Sequence, residues 1–400
     1  SPQLFKQILM ISGFDRYYQI VKCLRDEDLR ADRQPEFTQI DFEMSFVDED
    51  DVMSFSEELV HTLFKELLGV ELKRPFDRIP YKQAMENYGS DKPDRRFGVE
   101  LIEMSDVFKD SQFKIFREAV ESGGVVKAIN FRSSNLSRKE IDELSHFAQT
   151  AGAKGLAWIK VEDGKLNSPI VRFLAEGEKQ ELMKRAGANV GDTILLSADK
   201  KDVVFKVLGS LRLYIAKKYS LIDTNKYDIF WVVDFPLMEW DEEEGRFVSL
   251  HHPFTLPREE DIPKLLRALQ EEDFEERKKL VQSVRARAYD MVINGYEVGG
   301  GSIRINRREI QEVIFKLLDI SQIEAEEKFG FLLRALNYGA PPHGGLAFGL
   351  DRLVSIMRGL DSIRDTIAFP KTQRGICPLT GAPDYVSPKQ LKEVHIKVLE

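Results

Sequence analysis

Leu24-Arg25-Asp26-Glu27-Asp28-Leu29-Arg30-Ala31-Asp32-Arg33-Gln34-Pro35-Glu36-Phe37-Thr38-Gln39-Ile40-Asp41-Phe42-Glu43-Met44-Ser45-Phe46 is the stretch on which the fold turns. Tyr17 to Arg25 and Glu36 to Phe46 read as strands, rich in β-branched and aromatic residues. The connection between them, Asp26 to Pro35, is densely charged. Hairpin loops usually take about 2–5 residues, so a longer charged one points to function. Along the second strand, Ile40, Phe42, Met44 and Phe46 share one face, and Phe37, Gln39, Asp41, Glu43 and Ser45 share the other. A solvated face accounts for most such patterns. Here the polar face follows a charged loop and opens with an aromatic ring, which suits a flat base stacked on Phe37 with polar recognition beyond it.

Upstream, Gln3 to Gly13 reads as a short helix ending at glycine. Downstream, Val52 to Leu68 is an amphipathic helix (Phe55, Leu59, Val60, Leu63, Leu67) stopped by Gly69. The character changes after Pro93. Phe97 to Ser220 alternates small helices and strands, with a capping box at Ser137-Arg138-Lys139-Glu140, and holds no catalytic cluster. It reads as an inserted α+β domain. From Tyr227 the first character returns, with a buried strand over Asp228 to Leu237 and a compact turn at His251-His252-Pro253-Phe254-Thr255. The expected division is 1–96 and 223–400 for one discontinuous domain and 97–222 for the insert.

Asn294-Gly295 is the strongest two-residue hairpin signal. It pairs Val292 with Glu297 and Asp290 with Gly299, which makes Asp290 and Glu297 diagonal neighbours. Two close carboxylates repel unless a cation sits between them, and Mg²⁺ carried by triphosphate oxygens is the natural candidate. Two solvated carboxylates are the plainer alternative. The adjoining Gly299-Gly300-Gly301 counts against it, because glycine runs mark close backbone approach or a bulge. A third cluster runs from Gly339-Ala340-Pro341-Pro342-His343-Gly344-Gly345 to Gly349-Leu350-Asp351-Arg352. Its small residues expose backbone to a ligand, and Arg352 opens a helix where a guanidinium can meet phosphate. It is neither a Walker A loop nor a dinucleotide fingerprint. His61, His146, His343 and His395 form no metal pattern and read as surface or packing residues.

Composition narrows the class. Of 400 residues, 42% are hydrophobic and 31% charged, which is ordinary globular protein. The net charge of −9 excludes binding to nucleic acid through net charge alone, though not a local basic face. Two cysteines, Cys23 and Cys377, exclude a disulfide framework and a Cys-rich zinc site, and fit a reducing compartment. No apolar run approaches the roughly 20 residues of a membrane span.

Together the clusters resemble class II aminoacyl-tRNA synthetases. Leu24 to Phe37 looks like the second motif of that class, and Gly349-Leu350-Asp351-Arg352 like its third. Gln3-Leu4-Phe5-Lys6-Gln7, Phe37-Thr38-Gln39-Ile40-Asp41, His251 to Thr255 and Gly299-Gly300-Gly301-Ser302-Ile303-Arg304 are similar to the aspartyl-tRNA synthetase family, and the insert to its bacterial and organellar type. The resemblance spans essentially all 400 residues. It implies an α+β fold, an antiparallel sheet flanked by helices with a smaller inserted domain. It also implies two half-reactions: aspartate attacks the α-phosphate of ATP, and the aspartyl group then passes to tRNA(Asp).

By motif match, Arg25 contacts the α-phosphate, Glu27 and Gln34 contact ATP, Phe37 stacks on adenine, and Gly349, Leu350, Asp351 and Arg352 close on the nucleotide. Arg25, Glu297 and Arg352 carry the catalytic charges. Asp290 and Glu297 hold Mg²⁺. Gln3, Lys6, Arg25, Asp41, His251, His252 and Arg304 line the aspartate pocket, with Lys6 and Arg304 holding the side-chain carboxylate. Glu297 and Arg304 differ in parity, so a bulge is expected at Gly299 to Gly301 to bring both to the substrate.

The resemblance also implies a homodimer, a cytoplasmic or organelle-matrix location, and an anticodon-reading OB-fold domain and first motif ahead of residue 1. On that count the chain reads as part of a longer protein. The rival readings are asparaginyl- or lysyl-tRNA synthetase, ammonia-dependent asparagine synthetase, and a catalytically silent tRNA-binding paralogue. Lys6 beside Gln3 favours an acidic substrate side chain, and the intact Arg25, Glu297 and Arg352 argue against silence.

Overall fold

The computed structural model describes residues 2–26 and 32–398. It comprises two compact units, Ser1–Pro75 with Val298–Ile310 and Gln322–Glu400, and Phe76–Glu297 with Gln311–Ser321.

In the first unit, Arg16–Leu24, Glu36–Ser45, His343–Gly349 and the Val298–Ile303 part of Tyr296–Ile303 hydrogen bond in that order, all antiparallel. The register sets three rows across the sheet. Asp41 lies opposite Ala347, itself opposite Gly300; Glu43 opposite Gly345, then Ser302; Ser45 opposite His343. One strand is therefore charged where its neighbours are nearly bare backbone.

Helix Glu49–Leu68 covers the apolar face. A capping box of Asp48 and Asp51 starts it, and Gly69 at φ 67° ends it. Its Val52, Met53, Val60 and Phe64 are buried, and Phe55 meets Phe42 edge-on at 5.0 Å. Each such apolar side chain contributes about 1.5–3 kcal/mol on burial. Helix Pro2–Ile11 packs on the opposite face. The polar face is consequently not solvated at its core: Asp41 is 1% exposed and Glu43 0%. Phe46 departs from expectation. It leaves the strand at φ 59° and is 74% exposed, so the apolar face ends at Met44.

The expected bulge is absent from this ladder. Gly299 to Ile303 pair one-to-one with Phe348 to Gly344, and the Arg304 N–H continues the ladder to the His343 carbonyl at 2.9 Å. Gly299 answers a packing need instead. A Cβ on Gly299 would stand 2.7 Å from the Phe348 ring and 2.9 Å from Leu346.

In the second unit, Ile229–Val233 lies between Ala288–Ile293, antiparallel, and Asp77–Pro80, parallel. Asn294 and Gly295 form the two-residue turn after Ala288–Ile293, with φ 54° and 86°. The same unit holds a five-stranded sheet ordered Ile102–Glu103, Val125–Phe131, Thr193–Asp199, Ala157–Glu162, Lys165–Asn167. Helices Arg138–Thr150 and Lys201–Lys218 bury one face with Ile129, Leu144, Leu195 and Leu208. Helices Lys114–Glu121 and Glu176–Ala186 bury the other with Phe116, Ala128, Leu182 and Ile194. The Ser137–Glu140 capping box forms as the sequence predicts. Arg212 is buried, donating to the carbonyls of Val99 (2.7 Å) and Asp94 (2.8 Å) and lying over Tyr88 and Phe97.

Candidate active site

Four buried charges meet on the covered polar face of the first unit. Helix Pro2–Ile11 lays Lys6 across the Glu36–Ser45 strand, with Nζ 2.7 Å from Asp41 Oδ1 and 3.2 Å from Glu43 Oε2. Arg304 reaches diagonally over Gly345 to the same strand. Its Nε and Nη2 donate to the two Glu43 oxygens at 2.8 and 2.9 Å, and Nη1 donates to Ser302 Oγ at 2.6 Å. Burial alone would push the Glu43 carboxyl up, but Arg304 and Lys6 outweigh it and hold the group down at about 2. Both cations expected to hold the substrate side chain, Lys6 and Arg304, are already ion-paired within the protein. Glu43 occupies both prongs of Arg304, and Lys6 is shared by two carboxylates. Asp41 is the group left incomplete: its Oδ2 is buried and has no hydrogen-bond partner.

His343 stands on the same face. It is 0% exposed, and its Nδ1 donates to the Pro341 carbonyl at 2.8 Å. Burial lowers its pKa from the ordinary value, with Glu43 pulling the other way. Gln3, on the first turn of the helix, gives its carbonyl to Gln7.

The phosphate-reading candidates belong to the same unit. Arg25 lies 5.1 Å from the centre of the Phe37 ring. Glu27 lies outside the described residues. Gln34 is buried and clasps residue 371 both ways, accepting the Lys371 N–H at 2.7 Å and donating to the Lys371 carbonyl at 3.2 Å. Gly349 ends its strand and precedes helix Leu350–Arg358, which sets Arg352 in the first turn. Arg352 Nη2 donates to the Asp32 carbonyl at 2.9 Å. Asp351 accepts the Thr38 N–H at 2.6 Å, so its carboxylate ties helix to strand.

The second unit carries the carboxylate candidates. Asp290 is 8% exposed, and one of its oxygens lies 3.3 Å from His251 Nε2. Burial disfavours charge on His251, but Asp290, then Glu297 and Asp91, outweigh it and raise its pKa. Both hairpin carboxylates therefore act on one imidazole. Glu297 sits 3.8 Å from Lys92, itself 3.5 Å from Asp91. His252 closes its own turn, its Nδ1 accepting the Phe254 N–H at 3.2 Å. Among the described residues, no three His, Cys, Asp or Glu side chains converge to hold a metal by themselves. A pair of carboxylates fits Mg²⁺ that takes its other ligands from phosphate and water.

Sequence reasoning passed over Glu43, His343, Asp91 and Lys92. Glu43 was visible on the polar face, but its pairing with Arg304 depends on a third strand. Asp91 and Lys92 sit in the turn-rich Gly89-Ser90-Asp91-Lys92-Pro93, a signal that was available. His343 had no signal beyond its glycine-rich setting.

A family model described as tRNA synthetases class II (D, K and N) matches residues 1–373. The chain is 74% identical over 400 residues to an aspartate–tRNA(Asp/Asn) ligase of Aquifex aeolicus (strain VF5), covering all of this chain and 66% of that protein. It is 60% identical over 400 residues to the Persephonella marina (strain DSM 14350 / EX-H1) protein of the same name, covering 100% and 65%. It is 54% identical over 401 residues to an aspartate–tRNA ligase of Halalkalibacterium halodurans (strain ATCC BAA-125 / DSM 18197 / FERM 7344 / JCM 9153 / C-125), again covering 100% and 65%. The chain thus spans about two thirds of the length of these curated relatives.

Proposed function

The chain belongs to the class II tRNA synthetases of the D, K and N group, and from that premise we propose that it activates L-aspartate with ATP and passes the aspartyl group to tRNA(Asp). The observation that carries the amino-acid assignment is Asp41. Its second oxygen is buried without a partner while the first is held by Lys6. A buried carboxylate oxygen left unbonded is costly, and the ammonium of an amino acid is the complement it lacks. The relatives' printed names favour aspartate over asparagine or lysine.

In this reading the α-carboxylate of aspartate attacks the α-phosphorus and pyrophosphate leaves. No protein nucleophile is needed; positioning and charge stabilisation supply the rate. Arg25 holds the α-phosphate and Phe37 stacks on adenine; Glu27, outside the described residues, is assigned to ATP by motif match alone. Gln34, latched to Lys371, contacts ATP. Arg352 meets the γ-phosphate from the first turn of its helix, behind Gly349 and Leu350. Asp351 keeps that helix end against Thr38. Asp290 and Glu297 hold Mg²⁺, which when bound neutralises phosphate charge. In the first unit Asp41 takes the substrate ammonium and Gln3 helps bound the pocket; in the second, His252 shapes the turn that carries His251, the partner of Asp290. The Lys6–Glu43–Arg304 group sets the field felt by the side-chain carboxylate.

The full-length protein works as a homodimer in a reducing compartment, cytoplasm or organelle matrix. Among the described residues no helix is long and apolar enough to cross a membrane. Residues 97–222 act as an insert outside the chemistry, so replacing them by a short linker should leave adenylate formation measurable. Pyrophosphate exchange by the full-length protein with each of the twenty amino acids tests the assignment: aspartate should stand alone, and absence of exchange with aspartate sinks it. The Asp/Asn names of two of these relatives favour a second acceptor, tRNA(Asn). Charging assays with both tRNAs decide that point.

A further inference from the structure

Lys92 is brought close to the hairpin carboxylates without being locked to them. Helix Tyr81–Tyr88 ends at Gly89, φ 65°, where a Cβ would stand 2.3 Å from the Phe205 carbonyl oxygen. Gly209, on helix Lys201–Lys218, approaches as closely: a Cβ there would lie 2.6 Å from the Gly89 carbonyl oxygen. Two bare stretches of backbone thus fix where the chain turns after the shorter helix. Ser90 Oγ accepts the Lys92 N–H at 3.1 Å and tightens that turn. The turn delivers two charged side chains. Asp91 acts on His251 together with Asp290 and Glu297. Lys92 Nζ lies 3.8 Å from Glu297 Oε2 and 3.5 Å from Asp91 Oδ1. All of these residues belong to the second unit.

Neither Lys92 distance is a hydrogen bond. The side chain is 39% exposed, and exposed pairs of this kind add little to stability. Lys6, by contrast, is sealed and donates to Asp41 at 2.7 Å. Lys92 is therefore a cation kept at the carboxylates by attraction alone, able to swing on its four-carbon stem. Mg²⁺ bonds a carboxylate oxygen at about 2.0–2.1 Å. An ammonium 3.8 Å from that oxygen would face the dication at close range, so the two cannot share Glu297. A triphosphate that carries the ion offers the ammonium its own oxygens instead.

We propose that Lys92 is a nucleotide-binding residue: it neutralises Glu297 in the free protein, yields that carboxylate to Mg²⁺ when ATP binds, and then donates to a phosphate oxygen. No covalent bond is made or broken. Lys92 thus opposes a bare divalent ion at Glu297 and favours one that arrives with phosphate, two effects of opposite sign. The inference rests on the reading above in which Asp290 and Glu297 hold the Mg²⁺ of ATP.

Two binding measurements on the full-length protein, both without amino acid and so without chemistry, test this. Calorimetric titration of ATP at saturating Mg²⁺ reads the nucleotide, and the paramagnetic resonance signal of Mn²⁺ titrated alone reads the metal. Lys92→Met should bind ATP about tenfold more weakly, the worth of one charge-assisted hydrogen bond, and Mn²⁺ more tightly. Lys92→Arg should restore ATP binding, because it keeps the charge. The melting temperature should hardly move in either variant, as expected for an exposed pair. Unchanged ATP affinity in Lys92→Met overturns the inference and leaves the ATP reading standing. Equal weakening of ATP and Mn²⁺ also overturns it, since that marks a lysine that only supports the carboxylates. A wild type that binds no ATP removes the ATP reading and this inference together.

Discussion

Glu43 holds both prongs of the Arg304 guanidinium, at 2.8 and 2.9 Å, across a strand that offers only glycine between them. Both partners are essentially sealed from water, at 0% and 2% exposed. Removing Arg304 leaves two buried carboxylates, Asp41 and Glu43, to share Lys6 alone. Arg304→Leu is therefore expected to destabilise the first unit by about 3–5 kcal/mol as well as to cripple aspartate use. Urea unfolding of the variant measures the first effect. Replacing both residues by apolar ones should recover much of the stability and none of the activity, which separates the two roles.

Asp41→Asn should raise KM for aspartate about 10–100-fold, the worth of one charge-assisted hydrogen bond to the substrate ammonium. It should change kcat less, because the ammonium is held alike before and during attack. Pyrophosphate-exchange kinetics check this. An unchanged KM would mean that another group takes the amine.

Acid should act through carboxylates whose pKa values fold down. Burial pushes Glu43 upward, but Arg304 and Lys6 win and bring it from 4.5 to about 2. Burial likewise opposes the shift of Asp261, where Arg285 and Lys264 bring it from 3.8 to about 2. A depressed folded pKa stabilises above the unfolded value, and that contribution fades as pH falls through the folded one. Stability should decline from about pH 4.5 to about pH 2. Asp261→Asn should flatten part of that decline, as read from urea midpoints at each pH.

Glu297→Gln should raise the Mg²⁺ concentration for half-maximal exchange by about tenfold or more, since it removes one of two carboxylate ligands in the proposed site. Metal titrations of exchange measure it. A matching requirement in wild type and variant would place the metal elsewhere.

Gly345→Ala tests the bare row between Glu43 and Ser302. An added Cβ would press on the Phe42 carbonyl oxygen and on Glu43 Oε2. Overpacking of this sort costs about 1–3 kcal/mol, and a Tm lowered by several degrees is expected.

Local grammar was legible in the sequence: the Ser137 capping box, the Gly69 stop, the Asn294-Gly295 turn and the strand from Glu36. Each is decided within a few residues. The unread parts depend on residues far apart. Glu43 looked like one more polar residue on a solvated face, because only helix Pro2–Ile11 and Arg304, 261 positions away, make it buried. The glycine run suggested a bulge, whereas Phe348 and Leu346 from another strand explain Gly299. Gln34 matched a motif, yet its partner at residue 371 is 337 positions away and follows no local rule.

That last clasp has a consequence for how the protein is made. Thr38 waits for Asp351, Glu43 for Arg304 and Gln34 for Lys371, partners 313, 261 and 337 residues downstream. On a ribosome the segment 34–45 therefore emerges long before Arg304, Asp351 and Lys371 can pair with it, while the whole stretch Phe76–Glu297 is synthesised in between. The early strands must be kept from mispairing until residues 304–371 appear, so the nascent chain should depend on being shielded over that interval. Protease digestion of ribosome-bound chains arrested before and after residue 371 would show when residues 24–46 become protected.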